Sequence, residues 1–326
     1  MRPFDKTIRV ERYDDVDVQI YVVGYPNEGE SIVFSMRNKG TSVVTFVTDC
    51  YVNNDGYNYT SEVLKANHIN QIDAFVWTHP DRDHSTGIID LLNTYDSERK
   101  SKIFLPHTLN GGQDYEVCDQ SAKAIVFLMQ RYNSNREYSL NFVSLNKGED
   151  PRSLYRINII ESTTGNKVEI SLKFLSPNSA LIERRDGKQK DFDLNDLSLV
   201  YVLDINGFNY LFTGDLVNQS VQFIDADNIT NTLYIKIPHH GSDSSDKLLG
   251  LLNQNKLKDV ISVSTIYAPK NDPKSEILKA YRVFSTNVYC TGSGKHNFGC
   301  VKSTFDINGQ LESEPSLYGN AYVFNG

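Results

Sequence analysis

Cysteine is scarce in this chain of 326 residues, and the four that occur, Cys50, Cys118, Cys290 and Cys300, show no C-x-x-C spacing. That argues against a disulfide-stapled scaffold and a cysteine zinc knuckle, and leaves separate thiols of the kind that cores bury. Long apolar runs are missing too. Charge breaks even the best strand-like stretches within about eight residues, short of the roughly 18 to 20 that a membrane-crossing helix needs. The stretch Met1 to Val10 interleaves acids and bases and lacks the apolar core of a secretory signal, so a cytoplasmic location without membrane insertion is expected. Nor is there an excess of basic residues. Lys and Arg number 33 against 41 Asp and Glu, a formal charge of -8, so any polyanion would have to be held by a local basic patch or a metal centre.

Hydrophobic residues make up 39%, with 19 Tyr and 16 Phe, enough for a large core and too many for a disordered chain. No internal repeat or Gly/Ser linker divides the sequence, and we read residues 1–326 as one domain.

Alternating apolar residues predict a meander over Val16 to Val23, Ser31 to Met36 and Val43 to Thr48, followed by an amphipathic stretch from Tyr59 to His68. A buried strand is expected over Asp73 to Thr78, ending immediately before His79. Helical spacing marks Ile88 to Thr94 and the stripe Ala124, Ile125, Leu128, Met129 and Tyr132. Strands are expected at Lys102 to Leu105, Leu140 to Leu145, Tyr155 to Glu161 and Val168 to Leu175, and the charged segment Glu183 to Asp193 reads as a solvated loop. A hairpin of Leu197 to Leu203 and Phe208 to Phe212, turning at Asp204 to Gly207, delivers Asp215. Leu233 to Ile237 runs into Pro238-His239-His240-Gly241-Ser242, and Val260 to Val263 and a helix from about Pro273 to Val283 follow.

Four of the seven histidines therefore fall in two short motifs at strand ends. In the first, His79, Asp81 and Asp83 alternate, with His84 beside them. Carboxylates and imidazoles at that density are how proteins hold zinc, manganese or iron, and without a cation Asp81 and Asp83 would repel each other. The bland alternative is a surface turn with capping aspartates.

The order THPDRDHSTG at Thr78 to Gly87, LFTGD at Leu211 to Asp215 and PHHGS at Pro238 to Ser242 resembles the metallo-β-lactamase superfamily, whose signature is H-x-H-x-D-H. More narrowly it is similar to the soluble domain of the DNA-internalisation competence proteins (ComEC-like), which often carry Asp at the second ligand position. The segments Val22 to Phe34, Phe46 to Asp49, Asn195 to Leu203 and Ile261 to Tyr281 extend the resemblance over most of the chain.

The resemblance implies an α/β fold, the αββα metallo-β-lactamase sandwich of two mixed β-sheets flanked by helices. It implies two divalent ions, zinc or manganese. His79 and Asp81 would hold one, Asp83, His84 and His240 the other, with Asp215 bridging and His239 facing substrate. Catalytic roles then fall to Asp83 and His239. The expected activity is cleavage of DNA or another nucleotide phosphodiester by a metal-activated water. Hydrolysis of a small ester, thioester or cyclic nucleotide is the alternative, as is a metal-binding regulatory subunit that needs a partner, and separately encoded protein partners fit either.

Two departures bear on this. Phe174-Leu175-Ser176-Pro177 lacks the further metal-binding histidine that many relatives insert, which leaves the first metal position weak. Lys270 to Lys274 reads KNDPK where close relatives often have a GHP-like run. Ser242, with Ser244 and Ser245, reads either as a substrate hydrogen-bond donor or as a helix cap, and His107 either as a further residue within reach of the cleft or as a structural or solvated loop histidine. Lys295 and His296 lie in a glycine-rich TGSGKHNFG stretch whose backbone amides could approach phosphate, although its spacing matches no phosphate-loop pattern. Tyr51, Tyr57 and Tyr59 read either as a stacking wall for a base or as rim residues.

Overall fold

The computed structural model describes residues 4–109, 117–132, 140–146, 151, 153–186, 194–292 and 298–326. Its alternating strands sort their side chains into three apolar layers. Val18, Ile20 and Val22 point into one cluster while Tyr21 and Val23 point into another, as the period of two requires. On the facing sheet Tyr210 and Phe212 join the first cluster and Leu211 a third. A strand buried on both faces needs a covering layer on each side, and here the first cluster lies between two sheets while the others lie beneath helices.

One sheet runs in the order Ser316–Gly319, Gly299–Asp306, Val16–Gly24, Glu30–Asn38, Thr41–Thr48, Ala74–Val76, Lys102–Pro106 and Leu140–Val143. Neighbours are antiparallel as far as Thr41–Thr48 and parallel beyond it. The other runs Phe4–Val10, Ser153–Glu161, Lys167–Ser176, Val200–Ile205, Phe208–Phe212, Thr232–Lys236, Ile261–Ser264, Val288–Cys290 and Tyr322–Phe324. It too is mixed, parallel from Phe208–Phe212 to Val288–Cys290. Helices Tyr59–Ala66, Ile88–Tyr95 and Asp119–Tyr132 cover the first sheet with Leu64, Leu91, Leu92, Ala124 and Leu128. Lys247–Gln254 and Ser275–Tyr281 cover the second with Leu248, Leu252, Ile277 and Leu278. The architecture is the αββα sandwich that the resemblance implies.

The predicted elements occur with shifted ends, and two readings need correction. Phe4–Val10, for which the sequence pattern suggested no element, is a strand paired in parallel with Ser153–Glu161; only alternate side chains of an edge strand need be apolar. Glu183 to Asp186 end the helix Ser179–Asp186 rather than forming a loop, and residues 187–193 lie outside the described residues. The strand expected from Leu197 starts at Val200, after a 3₁₀ turn at Leu194–Leu197. In the hairpin that delivers Asp215, Asn206 and Gly207 take φ of 54° and 87°, the left-handed pair of a type I′ turn. Cys50, Cys290 and Cys300 are buried, Cys118 is half-buried, and all four are unpaired. No helix among the described residues is long and apolar enough to cross a membrane.

Candidate metal centre

Three loops converge where strands end. Ala74–Val76 leads into Thr78 and His79, Phe208–Phe212 into Asp215, and Thr232–Lys236 into His239 and His240. The last two strands are parallel neighbours, so their loops leave side by side, and the His239 N–H donates to Gly214 O at 3.2 Å. A bond from the Leu199 N–H to Thr78 O at 2.9 Å joins the first loop to the opposite sheet. His239, His240 and Gly241 follow one another at φ of 46°, 52° and 77°. Two successive non-glycine residues in the left-handed region cost energy that the surrounding contacts must offset, a pattern common at functional sites. Gly241 is required there, since a Cβ would lie 2.6 Å from Pro273 Cβ.

Asp215 is the point on which the imidazoles converge. Its Oδ2 lies 4.0 Å from His79 Nε2, 3.9 Å from His239 Nε2 and 3.6 Å from His240 Nε2, and its Oδ1 lies 3.5 Å from His84 Nε2. Asp81 Oδ2 is 3.5 Å from His79 Nε2, and Asp83 Oδ2 is 3.5 Å from His84 Nε2 and 3.1 Å from His240 Nε2. His79 and His84 are fully buried, whereas Asp81 is partly exposed.

Each imidazole is gripped from behind through Nδ1. His84 Nδ1 lies 2.8 Å from Asp49 Oδ2, and an ionised carboxylate only accepts, so Nδ1 carries the hydrogen. Thr78 spends its own proton on Asp49 Oδ2 at 2.6 Å, and so accepts from His79 Nδ1 at 3.0 Å. Thr265 likewise donates to Glu30 Oε2 at 2.5 Å and accepts from His240 Nδ1 at 2.8 Å. Ser244 donates to Ser242 Oγ at 3.2 Å and accepts from His239 Nδ1 at 2.7 Å. The same tautomer results four times, with each Nε2 presenting a lone pair toward Asp215.

A buried group of acceptors facing acceptors is satisfied only by a cation or by added protons. His79 Nε2, His84 Nε2 and Asp215 Oδ1 are buried without a hydrogen-bond partner, and Glu30, His84, Asp215 and His240 bring ligand atoms within 4.8 Å of one another. The donor set fits a divalent metal.

Two carboxylates that the histidine pattern did not single out turn out to organise the site. Asp49 serves His84 directly and His79 through Thr78, and it also accepts the Thr78 N–H at 2.7 Å. Glu30 serves His240 through Thr265 and pairs with the fully buried Lys236 at 2.7 Å. Glu30 is engaged by Lys236 and Thr265, so we assign it to support rather than to direct ligation. The sequence signals were present, a strand ending in Asp49 and the turn Gly29-Glu30, but they did not give these residues a role.

Other sequence candidates are placed differently. Ser242 Oγ accepts the Ser244 N–H at 3.4 Å as a cap, and Ser245 Oγ returns to Ser242 O at 3.0 Å, so these hydroxyls are used locally. His107 is exposed on the turn after Lys102–Pro106. Phe174, in the stretch Phe174 to Pro177 that lacks a histidine, fills the core between the sheets. In the KNDPK run Lys270 is exposed and Asp272 buried. Lys295 and His296 lie outside the described residues.

The sequence matches no family model and no curated protein. Among solved structures it is similar to an archaeal metallo-β-lactamase superfamily protein from Sulfolobus tokodaii, at 15% identity over 60% of this chain and 62% of that one, with a TM-score of 0.30. It is also similar to a diphosphatase from the PhnP family, at 11% identity over 76% and 85%, TM-score 0.38. A third is the metallo-β-lactamase fold protein YhfI from Bacillus subtilis, at 11% identity over 63% and 65%, TM-score 0.32. The chain spans less than two thirds of the first and third of these.

In the metal-free protein, protons take the cation's place. Burial opposes charge on His84, but Asp83, Asp215 and Asp49 outweigh it and raise its pKa well above the ordinary value. His240 is raised against burial by Asp215, Asp83 and Glu30. Burial would raise Asp83 and Asp215, yet the imidazoles hold both below the ordinary carboxylate range, His84 first for Asp83 and His240 first for Asp215. His239 differs, because burial, His240 and Lys270 keep it below its ordinary value against Asp215.

The signs give a pH window. Raised histidines stabilise fully below about pH 6.5 and lose that contribution as pH climbs through their folded values, while depressed carboxylates stabilise above about pH 4 and lose theirs on acidification. Chelator-treated protein is therefore expected to melt highest between about pH 4 and 6.5. Metal requires the neutral imidazoles, so its stabilising effect should grow from pH 6 to 8. Thermal melts with and without metal across that range check this; a metal-free melting temperature rising steadily to pH 8 would contradict it.

Proposed function

We propose that this chain is a metal-dependent phosphodiesterase or nuclease acting on DNA or another nucleotide substrate. The observation that carries the reading is the buried ring of four imidazole Nε2 atoms around Asp215, flanked by Asp81 and Asp83. In the proposed assignment His79, Asp81 and His239 hold one ion and Asp83, His84 and His240 the other, with Asp215 between them. His239 then supplies the imidazole that the missing inserted histidine would have given, so it moves from the substrate side to the ligand set. A divalent ion held by these residues would supply Lewis acidity and an activated water at neutral pH.

The chain's own residues prepare that chemistry. Asp49, Glu30 and Ser244 fix the tautomers before any ion arrives, which limits reorganisation. Three carboxylates among the seven proposed ligands give the site oxygen character that suits manganese as well as zinc. Arg82, between Asp81 and Asp83, and Lys270, close enough to depress His239, offer positive charge to a phosphodiester in a chain that is acidic overall. Asp83 faces the Nε2 atoms of His84 and His240 and is the residue whose removal should cost most at the second position.

The test is cleavage of linear, circular, single-stranded and double-stranded DNA by metal-stripped protein resupplied with manganese or zinc, beside the Asp83→Ala variant. Cleavage restored by metal and abolished by the substitution is expected. Protein that binds metal and cleaves none of these substrates would refute the nuclease reading and shift attention to small phosphodiesters or to a partner-dependent subunit. Full activity in Asp83→Ala would refute the site.

A further inference from the structure

A cavity of about 480 Å³, within the size range of small-molecule sites, lies against Arg82, whose partners Asn54 and Glu28 line it. Its aromatic side is built from the segment that follows Asp49. Tyr57 and Tyr59 lie nearly parallel, with ring centroids 6.0 Å apart and planes 11° apart. Tyr59 is backed by Phe298 at 4.4 Å and 17°, so the inner ring is held in place. Tyr57, at the rim, is 59% exposed, a large ring left in water. Its backbone is nevertheless fixed: Asn53 Oδ1 accepts the N–H groups of Asp55 at 3.1 Å and Tyr57 at 2.8 Å, and the Asn53 N–H donates to Tyr57 O at 3.2 Å. An exposed aromatic on a pre-set loop loses little conformational freedom when a flat ligand stacks on it.

On two sides, residues that line this cavity touch segments that also neighbour the metal centre. Arg82, between Asp81 and Asp83, donates to Asn54 Oδ1 at 2.8 Å and lies 3.4 Å from Glu28 Oε1, which also accepts the Tyr51 hydroxyl at 3.0 Å. On the other side Pro269 lines the cavity, the Ala268 N–H donates to Asn27 O at 2.6 Å, and the Tyr267 ring stacks on His240 at 5.1 Å and 22°. Arg82 thus links the loop that carries Asp81 and Asp83 to the cavity lining, and a ligand spanning it would have one end at each.

Charge sorts the two ends of such a ligand. Glu28 and Asp55 disfavour phosphate within the cavity, while the Arg82 side and the metal centre favour it. A neutral, planar ring with polar edges suits the rest. The aromatic wall offers it a face, and Asn53 and Asn54, with their Oδ1 atoms engaged, retain Nδ2 donors. We propose that this cavity binds the nucleobase of a nucleotide whose phosphodiester lies at the metal centre, with Tyr57 and Tyr59 as its stacking surface. The proposal rests on the phosphodiesterase reading and names the recognition element of that same site.

The test compares two esters on the metal-loaded full chain: thymidine 5′-(p-nitrophenyl phosphate), which carries a base, and methyl p-nitrophenyl phosphate, which does not. The expected result is a higher kcat/KM for the thymidine ester, with the ratio between the two falling about tenfold in Tyr57→Ala, mainly through KM, as loss of one base–aromatic stack requires. Tyr59→Leu should lower the same ratio. A merely structural role would depress both esters together and leave the ratio unchanged, which overturns the proposal. If neither ester is cleaved, the DNA-cleavage test decides the phosphodiesterase reading, and calorimetric titration of thymidine 5′-monophosphate into the same protein decides the cavity separately. Binding weakened by Tyr57→Ala supports a nucleobase site; absent binding, or binding indifferent to the substitution, overturns it.

Discussion

Asp215→Asn is expected to lose metal and activity together while preserving the fold. The substitution keeps the shape of the side chain and removes one negative charge from a point that lies within 4.0 Å of four imidazole Nε2 atoms. An amide cannot ligate two ions as a carboxylate does, and its NH₂ group would face lone pairs that are already fixed in direction. Metal analysis after gel filtration should find at most one ion per chain in place of two, and turnover should fall on the order of 100- to 1,000-fold. The chelator-treated variant should also lose part of its stability at mildly acidic pH, because Asp215 supports the charged forms of His84 and His240. Two tightly held ions in Asp215→Asn would defeat the ligand assignment.

Lys236→Met should be the most destabilising single change near the site. Lys236 is fully buried, pairs with Glu30 at 2.7 Å and donates to Ile237 O at 3.0 Å. Burial works against ionised Glu30, and Lys236 followed by His240 nonetheless hold its carboxyl below the ordinary value. Methionine fills similar space and leaves that carboxylate in the interior without its main partner, a loss of about 3 to 5 kcal/mol. Urea unfolding should show this as a large drop in midpoint with an unchanged slope. Adding Glu30→Gln should recover much of the stability, since the stranded charge is gone, but metal affinity should stay about 10- to 100-fold below wild type because the Thr265 link to His240 is weakened. A Lys236→Met protein within about 1 kcal/mol of wild type would show that the pair is dispensable.

The two substitutions also mark where sequence reading works. Asp215 was legible because a hairpin with an Asn-Gly turn delivers it and because TGD recurs in a recognisable order with the two histidine motifs. Lys236 and Glu30 were not, since a lysine inside the run Leu233 to Ile237 and a glutamate beside Gly29 each read as ordinary local features. They lie 206 positions apart on different sheets and become partners only when the sheets pack. Asp49 occupies an intermediate place: the strand ending there was visible, but its service to two imidazoles depends on how the Thr78 loop returns beside it.

The sequence by itself determined most of the strands and helices, because alternation with a period of two and helical stripes dictate which faces must be covered, while the αββα layering was implied by the resemblance of its motifs. It also determined which loops carry His79, Asp81, Asp83, His84, Asp215, His239 and His240, since these positions follow strand ends that local patterns reveal. Only the tertiary structure decided the direction of each imidazole and the company it keeps. That His239 points at Asp215 as His79 does, and that Phe4–Val10 closes a sheet edge despite its charges, follow from neighbours distant in the chain. Periodicity records which face of an element is buried; it carries no information about the partner that buries it.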